Sequence, residues 1–184
     1  NTIKDAVETD NKFDLRFVEM KSLARFEAAS MAERHIISPE FASDADGRAL
    51  MISKDEDICI MLNEEDHIRI QIMKSGFALD EAYQVADEID DLLGNKLEYA
   101  FDERIGYLTQ CPTNLGTGMR ASVMLHLPAL TMNGQIHKLI NTISKLGLTF
   151  RGAFGEGSKA TGDMYQLSNQ ITLGISEEFA IRNL

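Results

Sequence analysis

Three short stretches concentrate side chains that can do chemistry. Asn63-Glu64-Glu65-Asp66-His67 places three carboxylates side by side at a turn, with Arg69 just beyond. Adjacent like charges disfavour one another's ionisation, so the cluster is unfavourable unless a cation or a guanidinium is held there. The plain alternative is a solvated acidic turn. The second stretch, Cys111-Pro112-Thr113-Asn114-Leu115-Gly116-Thr117-Gly118-Met119-Arg120, is a glycine-containing loop expected to open a helix, where backbone N–H groups would cradle an anion. It does not match G-x-x-x-x-G-K-[ST], so a P-loop is excluded, and an ordinary loop is the alternative. Cys111 alone reads more readily as a small buried hydrophobe than as a reactive thiol. The third stretch, Arg151-Gly152-Ala153-Phe154-Gly155-Glu156-Gly157-Ser158, sets an arginine and a carboxylate in glycine-rich text that would otherwise be a flexible hairpin. Pattern rules alone leave three loops and no reaction.

The elements that must position these loops follow from periodicity. Residues 14–34 predict a helix on Leu15, Val18, Leu23, Phe26 and Met31, ended by His35-Ile36-Ile37-Ser38-Pro39 because a residue before proline is pushed out of the helical region. Segments 48–53, 57–62 and 66–73 predict strands. The last alternates, Ile68, Ile70 and Ile72 on one face and His67, Arg69 and Gln71 on the other, and short polar connections predict an antiparallel meander. A helix is predicted over 79–93 with Gly94 as its stop, and another over about 134–145 stopped at Gly147. Strands are predicted at 148–153 and 165–173, then a short helix capped by Ser176. His126, in the apolar run 121–127, reads as a satisfied core histidine. Strand meanders without strict strand–helix alternation imply an α+β fold with a largely antiparallel β-sheet flanked by helices. No composition shift interrupts the chain, so a single domain over residues 1–184 is expected.

Composition narrows the function. Of the 184 residues 44% are hydrophobic and 26% charged, ordinary for a globular chain. The balance of 18 basic and 29 acidic residues, a net charge of −11, argues against direct nucleic-acid or anionic-membrane binding through the whole surface. A phosphate would have to be met by arginines concentrated locally. Two cysteines, Cys59 and Cys111, make neither a disulfide framework nor a metal motif, and a reducing, cytoplasmic setting is expected. No run reaches the ~18 apolar residues of a membrane helix, and the first residues do not read as a signal peptide.

In order along the chain, NEEDHIR, CPTNLGTGMRAS and RGAFGEGS resemble the catalytic signatures of the ATP:guanidino phosphotransferases, the family of creatine and arginine kinases. The resemblance continues through GYLTQCPTNLGTG and SNQITLG and covers most of the chain from about residue 35. AERHIISPE, GRALMIS, FDERIGYLT, RASVMLHLPAL and GEGSKATGDMYQLSNQITLG are similar to the bacterial protein arginine kinases (McsB type) within that family. The segment between His35 and NEEDH is shorter than in kinases of small guanidino metabolites. The family's N-terminal S-S-R-x-R-x-A-R-type string and the C-terminal region of the McsB-type proteins are absent from these residues, as expected of a catalytic-domain fragment.

The resemblance implies transfer of the γ-phosphate of ATP, with Mg²⁺ riding on the phosphates, to arginine side chains of proteins. It carries Arg69, Arg120 and Arg151 over as a phosphate clamp. The backbone of Arg120, Ala121, Ser122, Val123 and Met124 and of Arg151, Gly152, Ala153, Phe154, Gly155 and Glu156 would line the nucleotide, with His35 near the adenine or ribose. Deprotonating a guanidinium outright at pH 7 would cost about 8 kcal/mol, so a carboxylate must align the nitrogen and take its proton as the N–P bond forms. Glu65 and Glu156 are the expected pair, Glu65 the base. Cys111 would add negative charge as a thiolate, and Glu64 a water-mediated hold on Mg²⁺. The implied partners are protein substrates with exposed arginine, among them a heat-shock repressor, an activating zinc-binding protein and a Clp protease system. The oligomeric state stays open, a homo-oligomer included. Two other readings compete: a phosphagen kinase acting on free arginine or another small guanidino compound, and an inactive module that binds arginine or phosphoarginine.

Overall fold

The alternation of Ile68, Ile70 and Ile72 marks the edge of the first of the protein's sheets. The computed structural model describes residues 2–8, 11–152 and 161–184. The chain divides into two compact units, Asn1–Tyr99 and Ala100–Leu184.

In the first unit, helix α1 (Thr2–Glu8) precedes a four-stranded antiparallel sheet of β1 (Arg16–Glu19), β2 (Ala49–Ile52), β3 (Ile58–Leu62) and β4 (Ile68–Ile72), in the order β1-β2-β3-β4. Helices α2 (Arg25–Glu33) and α3 (Pro39–Ser43) lie between β1 and β2, and α4 (Leu79–Gly94) follows β4. The central strands β2 and β3 are buried at every position, which is why ALMI and ICIML are continuously apolar and do not alternate. On one face Leu50, Ile52, Cys59 and Met61 pack with Met31 of α2 and Phe41 of α3. On the other, Met51, Ile58 and Ile60 pack with Val7 of α1 and with Ile89 and Leu93 of α4.

The predicted meander and the 79–93 helix are present. The helix predicted over 14–34 is not: its first third is β1, followed by a 3₁₀ turn at Met20–Ser22 and then α2. Leu15 and Phe17 pack into one core while Val18 and Met20 pack into the other. That period-2 demand, with backbone pairing of Arg16–Glu19 to β2, overrides the looser helical spacing.

In the second unit a short ribbon of β5 (Phe101–Asp102) and β6 (Gly106–Tyr107) leads through a 3₁₀ turn at Pro112–Asn114 to β7 (Ser122–His126). Helices α5 (Pro128–Met132) and α6 (Ile136–Ile143), strands β8 (Leu148–Gly152) and β9 (Met164–Asn169) and helix α7 (Glu177–Arg182) complete it. The sheet is antiparallel, in the order β7-β9-β8. Gly147 ends the α6 region at φ +74°, and Ser176 caps α7 by accepting the Phe179 N–H at 3.2 Å, both as predicted. Two expectations are corrected. The glycine loop 111–120 enters a strand and not a helix, because 122–126 pairs along its length with β9. His126 is exposed at the end of β7, since its neighbours alternate and Val123 and Leu125 take the more sheltered side. Among the described residues no helix is long and apolar enough to cross a membrane.

Candidate active site

In the first unit the carboxylate cluster forms the hairpin turn between β3 and β4. Asn63 takes φ +59°, its amide donates to Gly47 O at 2.8 Å, and its N–H donates to His67 O at 3.1 Å. Asparagine tolerates this left-handed conformation because its short polar side chain bonds locally. The turn divides its two glutamates. The Glu64 side chain is only 13% exposed: Oε1 accepts from the Ser38 hydroxyl at 2.7 Å and lies 3.4 Å from the Arg69 guanidinium, and Oε2 accepts the Glu65 N–H at 2.8 Å. Burial, the strongest single influence, pushes the Glu64 carboxyl up. The Ser38 hydroxyl, the Glu65 N–H, Arg69 and Arg48 together outweigh it and hold the group below the usual carboxylate range. Glu65 is exposed at the tip of the same turn. One carboxylate is thus a fixed, ionised anchor and the other is open to solvent.

Arg69 projects from β4 opposite Met61 of β3. Two residues along the same face, Gln71 donates to His35 O at 2.6 Å and to Ile36 O at 3.0 Å. His35 sits at φ +61°, a conformation worth of order 1 kcal/mol of strain for a non-glycine residue, and these bonds hold it there. Ser38 has a second task, accepting the Phe41 N–H at 3.1 Å as the N-cap of α3. Arg48 donates to the carbonyls of Asn63 at 3.1 Å and Glu40 at 2.7 Å, tying the turn to α3. The structure therefore gathers His35, Glu64, Glu65 and Arg69 around one edge of this sheet. Pattern reading passed over Ser38, Arg48 and Gln71; only the Ser38-Pro39 pair carried a signal, that of a helix start. Cys59 belongs to the core, where burial raises its thiol to about 12, with Arg69 lowering it slightly.

In the second unit Cys111 is half-buried, its Sγ 3.0 Å from Thr113 Oγ1 at the start of the 3₁₀ turn. Gly116, at φ +102°, lies flat against the 172–173 backbone, where a Cβ would collide with the Thr172 carbonyl. Arg120 ends the loop, half-buried, with Nη2 3.5 Å from Asn114 Oδ1. Sheet register then brings Met124 of β7, Gln166 of β9 and Arg151 of β8 into one row, and Ser122, Ser168 and Thr149 into another two residues along. Residues 122–124 and Arg151, separated by nearly thirty positions in sequence, thus share one sheet, with Arg120 and Ala121 leading into it and Gln166 donating to Ser122 Oγ at 2.9 Å. Gly152 is the last residue of β8. Ala153, Phe154, Gly155 and Glu156 lie outside the described residues.

The chain as a whole is similar to known proteins. The sequence matches the ATP:guanido phosphotransferase C-terminal catalytic domain over residues 1–184, across both units. It is 51% identical over 166 residues to the protein-arginine kinase of Caldanaerobacter subterraneus subsp. tengcongensis, covering 90% of this chain and 49% of that protein. It is 50% identical over 184 residues to the protein-arginine kinase of Clostridium acetobutylicum, covering 99% and 54%. The chain thus spans about half the length of the curated relatives it matches. Among solved structures, the duplicated taurocyamine kinase of Schistosoma mansoni with bound transition-state-analogue components has a TM-score of 0.88 at 25% identity, covering 99% of this chain and 27% of that one. Lombricine kinase has a TM-score of 0.80 at 24% identity, covering 99% and 54%, a likeness of fold. A family match along the whole chain, with relatives identical at about half of the positions, places this protein in the ATP:guanido phosphotransferase family.

Proposed function

We propose that the protein is the catalytic part of a protein arginine kinase, transferring the γ-phosphate of ATP to arginine guanidino groups of proteins and leaving phosphoarginine. The observation that carries this reading is the identity of about half the residues to proteins named protein-arginine kinase, along almost the whole chain. The split between an anchored Glu64 and a presented Glu65 supports it chemically.

Phosphoryl transfer depends on positioning and charge neutralisation more than on covalent chemistry. Arg69, Arg120 and Arg151 supply planar, permanently charged forks for phosphate oxygens. The 120–124 backbone and Arg151 line the nucleotide, with Gly152, Ala153, Phe154, Gly155 and Glu156 continuing that lining and His35 at the adenine or ribose. Glu65 and Glu156 align the guanidinium in paired hydrogen bonds, and Glu65 takes its proton as the nitrogen attacks phosphorus and the bond to the leaving ADP oxygen breaks. Cys111 adds negative charge beside the substrate cation. Mg²⁺ accompanies ATP and neutralises phosphate charge. Glu64, kept ionised by its hydrogen bonds, suits a water-mediated hold on that ion. The same reading takes residues 1–184 as one catalytic domain acting in the cytoplasm. Its partners would be a heat-shock repressor among the substrates, a zinc-binding activator and a Clp protease that receives marked proteins.

The test is mass spectrometry of a casein-like protein and of free arginine after incubation with ATP and the full-length natural enzyme. Phosphoarginine is expected on the protein. Comparable turnover of free arginine would move the assignment to a small-metabolite kinase, and no transfer to either would leave a binding module.

A further inference from the structure

The string SNQITLG runs off the end of β9 and has no part in the chemistry above, yet two of its buried polar side chains, Asn169 and Thr172, reach one loop. Asn169, 2% exposed, accepts the Ala121 N–H on Oδ1 at 2.8 Å and donates from Nδ2 to Met119 O at 3.1 Å and Ile171 O at 3.0 Å. It therefore grips the backbone immediately before and immediately after Arg120. Thr172, 5% exposed, donates to Thr113 O at 3.0 Å, and its own carbonyl accepts the Thr117 N–H at 3.1 Å. Thr113 is the residue whose hydroxyl meets the Cys111 thiol.

We infer that Asn169 and Thr172 are positioning residues for the two substrates, Asn169 setting Arg120 for the nucleotide phosphates and Thr172 setting Cys111 for the guanidinium. The inference rests on the proposed kinase reading. Buried amides and hydroxyls are stabilised by hydrogen bonds, and the Asn169 amide and the Thr172 hydroxyl both find theirs on the backbone of this loop, Asn169 with one further bond to Ile171 O. Gly116 lies against the Thr172 carbonyl without room for a Cβ, so the loop cannot slide along this support. An arginine fork that moves by 1 Å loses paired contact with phosphate oxygens, so a grip on both sides of Arg120 acts on nucleotide affinity. A grip at Thr113 acts on the group facing the guanidinium and leaves the nucleotide alone.

The experiment uses the full-length natural protein, with ATP affinity by calorimetry, single-turnover transfer to a protein substrate, and thermal unfolding as control. Asn169→Ala is expected to raise the ATP Kd ~10-fold, and to add little when Arg120→Ala is already present, as for residues acting through one group. Thr172→Val, which keeps the shape, is expected to leave the ATP Kd within about twofold while slowing transfer ~10-fold, less than additively with Cys111→Ser. If Asn169→Ala does not fold, Asn169→Ser is read in the same way. Failure of both to fold, effects that add, or both variants moving both readouts alike would overturn the inference and leave a purely structural loop staple. Arg120→Ala with unchanged ATP affinity would instead overturn the proposed function, and the inference with it.

Discussion

Replacing Ser38 by alanine removes one hydroxyl that serves two structures. Its oxygen caps α3 through the Phe41 N–H and its proton goes to Glu64 Oε1 at 2.7 Å. Losing a serine N-cap costs about 1 kcal/mol. A hydrogen bond to a charged group is worth about 1.5–3 kcal/mol, and the low end applies because Glu64 keeps the Glu65 N–H and Arg69. The expected destabilisation at pH 7 is therefore about 2.5 kcal/mol. The carboxylate share depends on pH in a definite direction. Glu64 titrates lower folded than unfolded, so its contribution is complete above the unfolded value of about 4.3 and disappears as pH falls through the lower, folded one. Urea unfolding at pH 7 and again near pH 3 should show the Ser38→Ala penalty shrinking by about 1 kcal/mol, towards the cap and a neutral hydrogen bond. A double-mutant cycle with Glu64→Gln should give a coupling of about 1 kcal/mol at pH 7. A pH-independent penalty, or strict additivity, would refute the idea that Ser38 holds the ionised Glu64.

Glu65→Gln, which keeps shape and removes charge, should slow single-turnover transfer by at least ~10²-fold while ATP affinity measured by calorimetry stays within about twofold; an unchanged rate would remove Glu65 as the base. A thiol reagent at pH 8 should label half-buried Cys111 promptly and Cys59 only on unfolding, since burial raises the Cys59 thiol to about 12; mass mapping distinguishes them, and early labelling of Cys59 would contradict its place in the core. Gly116→Ala forces a Cβ toward the Thr172 carbonyl at φ +102°, and should destabilise the second unit by at least about 2 kcal/mol in denaturant titration; a neutral effect would mean that the loop can leave that support.

Local patterns carried most of the elements. The alternation of 68–72, the apolar stripe from Val85 to Leu93, the glycine after α6 and the serine before α7 each act over a few residues, so the chain itself shows them. The three candidate loops were legible through their resemblance, in order along the chain, to a family's signatures, since their composition alone did not separate them from ordinary loops. Tertiary structure decided what depends on partners distant in sequence. Residues 16–19 lie in a stretch of helical spacing but become β1 because two cores lie on opposite sides of them. Glu64 and Glu65 are adjacent and chemically identical. Only Ser38, twenty-six positions away, with Arg69 turning back from β4, makes one an anchor and leaves the other exposed. Nothing in the text of CPTNLGTGMR foretells that Asn169 and Thr172 fix it, because a hydrogen bond to a backbone carbonyl leaves no mark on the residue that accepts it. Side-chain types and short periodicities belong to the sequence; which of two equal carboxylates is anchored, and what holds a loop still, belong to contacts that exist only once the chain has folded.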